Sequence, residues 1–194
     1  MDSYTRGALR FDVTEYGGTG PGPGDGETVL LLHGFPQDRT AWKEVSDRLN
    51  AAGYRTLAPD QRGYSPGASP TAVSAYSMRA LVADVAALIN ASGAQQVHLV
   101  GHDWGAVVGW ALAALHPERV RTLTAVSVPH PAAFVRAMAT SRQGALSWYM
   151  YFFQLPGAPE RLLGRPGGLA AADLGGGVEA GDDLGVGGAR DLGG

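Results

Sequence analysis

The sequence predicts an α/β fold with a mostly parallel sheet covered on both faces. Two observations carry this. Short apolar or alternating runs recur at 9–17, 28–34, 54–60, 95–101 and 121–128, and amphipathic or apolar helical stretches separate most of them. The run "TVLLLHG" is continuously apolar, as expected of a strand buried on both faces.

Taken in order, "LRFDVTEYG" (9–17) alternates like a half-exposed strand, and "PGPGDGE" (21–27) is a turn cluster. After the strand at 28–34, Thr40 is positioned to cap a helix that presents Trp42, Val45 and Leu49 and stops at Gly53. "YRTLAPD" (54–60) is the next strand, and a Pro/Gly/Ser-rich loop follows to about Ser77. Met78, Leu81, Val82, Val85, Leu88 and Ile89 mark one face of a helix that ends before Gly93. "QQVHLVG" (95–101) reads as a strand, "WGAVVGWALAALH" as a helix and "RTLTAVSV" (121–128) as a further strand. Pro129 and Pro131 break the pattern, and the aromatic-rich stretch that follows suits the start of a helical cap. The expected divisions are 1–131 for the core, 132–163 for the cap segment and 164–194 for a tail.

Composition narrows the function. The 194 residues suffice for one ordinary domain, the net charge is −3 with no basic run, and cysteine is absent. Nucleic acid and anionic membranes are therefore poor partners, and thiolate chemistry is excluded. Without an apolar leader or spanning run, a soluble cytoplasmic protein is expected.

The tail differs in kind. Twelve of the 29 glycines fall in 164–194, which has no aromatic residue, Ser or Thr, so a disordered segment is expected. From Gln154 onward every residue type can be encoded by a codon beginning with G or C. That bias fits a GC-rich gene read out of frame from about 163–168, so a truncated or frameshifted chain is expected.

The chemistry centres on "VGHDWGAVVG". Gly101, Asp103 and Gly105 form a Gly-x-Asp-x-Gly turn where a strand meets a helix. Such a turn lifts its central side chain out of the sheet's carboxyl edge, beside the first N–H groups of the helix. A second motif, "HGFP" (His33, Gly34, Phe35, Pro36), directly follows another strand. From there the backbone N–H of Phe35, with that of Trp104, is placed to form an oxyanion hole.

With "DQRGYSPGASP" (60–70) and "GHDWGAVVGWALAALHPERV" (101–120), these motifs resemble the α/β-hydrolase superfamily, over roughly residues 8–163. They look most like its Asp-nucleophile branch, the epoxide hydrolases and haloalkane dehalogenases. The resemblance implies an incomplete α/β-hydrolase fold with no cofactor and no metal. It also implies a small-molecule epoxide or similar electrophile as substrate, with Asp103 as nucleophile. A carboxylate is already ionised at neutral pH and needs no base to attack saturated carbon. Phe35, where dehalogenases typically carry a halide ligand such as Asn, favours epoxides. Tyr149, in "SWYMYFFQLPG", matches a cap tyrosine that protonates the epoxide oxygen. Asp60 and Arg62 resemble a structural loop. The haloalkane or haloacid dehalogenases and a ligand-binding receptor on the same scaffold are the rival readings.

The hydrolytic half needs a histidine base. His33, His98, His102, His116 and His130 are the only histidines, and none stands where that base belongs. His102 is expected to point into the fold. The general base and its acid are therefore expected to be absent, which makes an inactive family fragment a further reading.

Overall fold

The computed structural model describes residues 1–17 and 26–142. The chain divides into two units, and the fold described is that of the first, Met1–Arg136. Its strands are β1 (Ser3–Arg6), β2 (Leu9–Tyr16), β3 (Thr28–Leu32), β4 (Arg55–Pro59), β5 (Val97–His102) and β6 (Val120–Val126). They form one sheet in the order β1-β2-β4-β3-β5-β6, antiparallel at β1/β2 and β2/β4 and parallel from β4 through β6. The helices are α1 (Lys43–Ala51), α2 (Met78–Ser92), α3 (Trp104–Leu115) and α4 (Pro131–Thr140).

Side-chain alternation along β3 sorts the two faces of the sheet. Leu30 and Leu32 join Leu57 and Leu99 against Val82, Val85 and Leu88 of α2 and Val108 and Leu112 of α3. Val29 and Leu31 face the other way, with Ala58, Trp42 and Leu49. All five β3 residues are buried, which is why this strand reads as a continuous apolar run. α2 ends at Gly93 in the left-handed conformation (φ 78°), as its sequence predicts.

Three local readings need correction. The cap before α1 is Asp38, not Thr40: the Asp38 carboxylate accepts from Thr40 N at 2.8 Å and starts a 3-10 turn over Arg39–Trp42 that precedes α1. Val45 is exposed rather than core-facing. Strand β1, which no pattern announces, pairs with β2 through a two-residue loop at Gly7 (φ 59°) and buries only Tyr4, stacked on Phe11 at 4.7 Å.

A buried ion pair ties the segment after β4 to α2. Arg62 donates from Nε and a terminal nitrogen to the two oxygens of Asp84, each at 2.7 Å, and Arg6 adds a third bond at 2.8 Å. This fits the structural part expected of Arg62. Asp60, in turn, accepts from Arg39 N at 2.8 Å.

Candidate active site

Asp103 lies between the last residue of β5 and the first of α3, with φ 51° and ψ −119°. A non-glycine residue in that region carries strain of about 1–3 kcal/mol, held only where the surroundings enforce it. Here they do. A Cβ at Gly105 would lie 2.2 Å from Leu32 O, so only glycine lets the start of α3 sit on the end of β3. Gly101 is buried opposite Leu32 in the β3/β5 ladder. Asp103 O accepts the first helical bonds from Ala106 N (2.9 Å) and Val107 N (3.1 Å).

The loop after β3 lies alongside this turn. A Cβ at Gly34 would lie 2.5 Å from Asp103 Cβ, so glycine permits the approach. As a result Phe35 N donates to Asp103 Oδ1 at 3.0 Å. The Phe35–Pro36 peptide is cis.

Two histidines brace this loop. His33 is fully buried; Gln61 N donates to its Nε2 at 3.1 Å, so its proton sits on Nδ1, which donates to Gly34 O at 3.0 Å. Burial holds its pKa below the usual histidine range and keeps it neutral. The Gln61 side-chain amide also donates to His33 O. Gln37 N donates to Gly34 O at 3.0 Å, and Gln37 Oε1 accepts from His102 Nδ1 at 3.0 Å. His102 is thus half-buried and turned to Gln37, not into the fold, because it ends its strand beside the loop. No residue pattern announces the Gln37 contact.

Three aromatic residues neighbour Asp103: Phe35 through its backbone N–H, Trp104 as the next residue in the chain, and Tyr64, whose phenol feels its charge. Phe35 and Trp104 are each about half exposed (53% and 51%), and Tyr64 packs edge-on against His33 at 4.5 Å. Burial, then the charge of Asp103, pushes the Tyr64 phenol above the usual tyrosine range, so it keeps its proton. Among the described residues Asp103 has no cationic partner, and no cluster of His, Asp and Glu is arranged to hold a metal ion. None of the five histidines bonds to Asp103. His98 lies toward the opposite strand ends, His116 pairs with Glu118, and His130 packs on Trp110 at 4.9 Å. Tyr149, the cap segment beyond residue 142 and the tail lie outside the described residues.

A sharp strand–turn–helix that lifts its central side chain beside a loop N–H is the nucleophile-elbow geometry of hydrolases, here with Asp103 in the place of serine. The family model for the alpha/beta hydrolase fold matches residues 27–163. The chain belongs to the α/β-hydrolase fold family.

Within this family several of the relatives are epoxide hydrolases. Epoxide hydrolase A of Mycobacterium tuberculosis is 40% identical over 175 residues, covering 87% of this α/β hydrolase and 52% of the relative. Among solved structures, an epoxide hydrolase of Vigna radiata superposes with a TM-score of 0.66 at 37% identity, covering 80% of this chain and 48% of that one. A mutant epoxide hydrolase of Bacillus megaterium in complex with its product, a naphthyloxy-propanediol, superposes with a TM-score of 0.71 at 30% identity, covering 82% and 54%. This α/β hydrolase is therefore epoxide hydrolase-like, and it spans about half the length of the relatives it matches. No described helix is long and apolar enough to cross a membrane.

Proposed function

We propose that Asp103 is a nucleophile that opens a small-molecule epoxide and forms a covalent alkyl-enzyme ester. The observation that carries this reading is the 3.0 Å bond from Phe35 N to Asp103 Oδ1. With Oδ1 held, an Oδ2 lone pair attacks an epoxide carbon, the ring C–O bond breaks and the ring oxygen takes a proton. Tyr149 is the proton donor the family resemblance suggests. Oδ1 then becomes the ester carbonyl oxygen, already beside the Phe35 N–H that stabilises a tetrahedral intermediate, with the Trp104 N–H as the proposed second donor. The neighbouring aromatic residues, with no cation paired to Asp103 among the described residues, suit a neutral, apolar epoxide better than an anionic haloacid. No cofactor enters this scheme.

Hydrolysis of the ester needs a base to activate water, and no histidine of this chain bonds to Asp103. On this reading the chain as given forms the ester and is impaired in the second half-reaction. Incubation with styrene oxide followed by intact-mass spectrometry is the test. One adduct per chain is expected, mapped to Asp103 and lost in Asp103→Asn. Sustained diol formation refutes the single-turnover reading, and an unmodified Asp103 refutes the nucleophile.

A further inference from the structure

A second polar cluster occupies the other end of the parallel strands. The β5/β6 register runs Val97 to Val120 and then His98 to Thr122, so Arg121 is an extra residue in a β-bulge. A bulge breaks the strict alternation of a strand and re-aims its side chains. Here it gathers Arg121 and Thr122 about His98 together with Glu27 from the start of the β3 segment. His98 Nε2 lies 3.1 Å from Glu27 Oε2, and His98 Nδ1 lies 2.8 Å from Thr122 Oγ1. Arg121 reaches the other Glu27 oxygen at 3.1 Å. The Tyr54 ring packs edge-on against His98 at 5.7 Å.

In the neutral imidazole these contacts assign the protons. A carboxylate only accepts, so Nε2 carries the imidazole hydrogen and donates to Glu27. Nδ1 is then bare and accepts the Thr122 hydroxyl hydrogen. A carboxylate, an imidazole and a hydroxyl joined in that order form the relay that activates a hydroxyl nucleophile. Glu27, His98 and Arg121 line a cleft of about 300 Å³ together with Gln95 and Gln96, and Thr122, outside that lining, is exposed on β6.

We propose that Thr122 is an acyl-acceptor site for small activated carboxylic esters, separate from Asp103. Thr122 Oγ attacks the ester carbonyl carbon and passes its proton to His98 Nδ1, while Glu27 supports the imidazolium. Arg121 adds positive charge against the developing oxyanion. The ester C–O bond breaks, the alkoxide or phenolate leaves, and His98 releases its proton to solvent. The product is one Thr122 ester.

The probe is p-nitrophenyl acetate, read by intact mass and peptide mapping after brief exposure. Acetylation at Thr122 is expected, labile to hydroxylamine as an ester is, whereas an amide on Lys43, the only lysine, resists it. The label is expected to vanish in Thr122→Val, to form about 100-fold more slowly in His98→Leu, and to persist in Asp103→Asn. Glu27→Gln keeps a hydrogen-bond acceptor but removes the charge, so an intermediate rate is expected. An unmodified Thr122, or one labelled equally fast in His98→Leu, overturns the proposal. Circular dichroism of each variant separates loss of the relay from loss of the fold.

Discussion

Replacing Asp84 with alanine tests how the fold holds the loop beside Asp103. The Asp84 and Arg62 side chains are only 6% and 5% exposed, and they share two bonds of 2.7 Å. Removing the carboxylate leaves a guanidinium out of water with, among the described residues, the Ala75 carbonyl at 2.8 Å as its remaining hydrogen-bond partner. Breaking a buried pair from one side costs about 3–5 kcal/mol. That is a large share of the roughly 5–15 kcal/mol that holds a domain together. The urea midpoint is expected to fall by roughly 2 M, given a slope of about 1–3 kcal/mol per molar. Lys43→Ala serves as the internal control, because its pair with Asp47 is exposed and its loss is expected to leave the midpoint unchanged. The double variant Arg62→Met with Asp84→Leu is expected to recover most of the loss, since no buried charge remains unpaired. The consequence extends to the site. Arg62 follows Gln61, whose backbone N–H and side-chain amide both hold His33. Alkylation of Asp103 by styrene oxide is therefore expected to slow in Asp84→Ala even below its unfolding transition. An Asp84→Ala midpoint equal to that of Lys43→Ala refutes the reasoning.

His33 gives the chain an acid-side stability slope. Its folded pKa lies below the usual 6.5, so the unfolded chain binds a proton first as pH falls. Stability is expected to decline as pH drops below about 6.5 and to level off below the folded pKa. Urea titrations of wild type and His33→Asn check this, and equal slopes in both sink the idea. Gly34→Ala puts a methyl 2.5 Å from Asp103 Cβ, so the loop must move away. The variant is expected to lose about 1–3 kcal/mol through overpacking and to part Phe35 N from Asp103 Oδ1. An unchanged melt with unchanged alkylation contradicts it.

The parts of the fold that were legible in the sequence are those where one local pattern decides the outcome. β3 shows its double burial as an unbroken apolar run, and α2 shows its buried face in Val82, Val85, Leu88 and Ile89. The illegible parts depend on partners distant in sequence. Asp84 reads as one polar position in an amphipathic helix; its burial makes sense only once Arg62 and Arg6 arrive from 22 and 78 residues away. β1 has four residues and one buried side chain, too little to rise above a loop. Asp38 and Thr40 are both capping types two residues apart, and a 3-10 turn ahead of α1 decided between them.

The site shows the same division, at finer scale. Glycine spacing around Asp103 marks the turn because each close approach leaves no room for a Cβ, a constraint written in residue identity. The brace behind it is written in geometry instead. His102 ends β5 and meets Gln37, while His33 and Gln37 N converge on a single carbonyl, that of Gly34. No residue pattern announces such convergence, because it arises from β3 and β5 lying side by side in the sheet. That adjacency brings the loop N–H and the acidic turn to one edge, and the two histidines hold the 3.0 Å contact between them. At the opposite end, one extra residue in β6 undoes the alternation from which a reader would assign Arg121 and Thr122 to different faces. A bulge is invisible to periodicity because it is a break in periodicity, so the second polar cluster emerges only from the paired register.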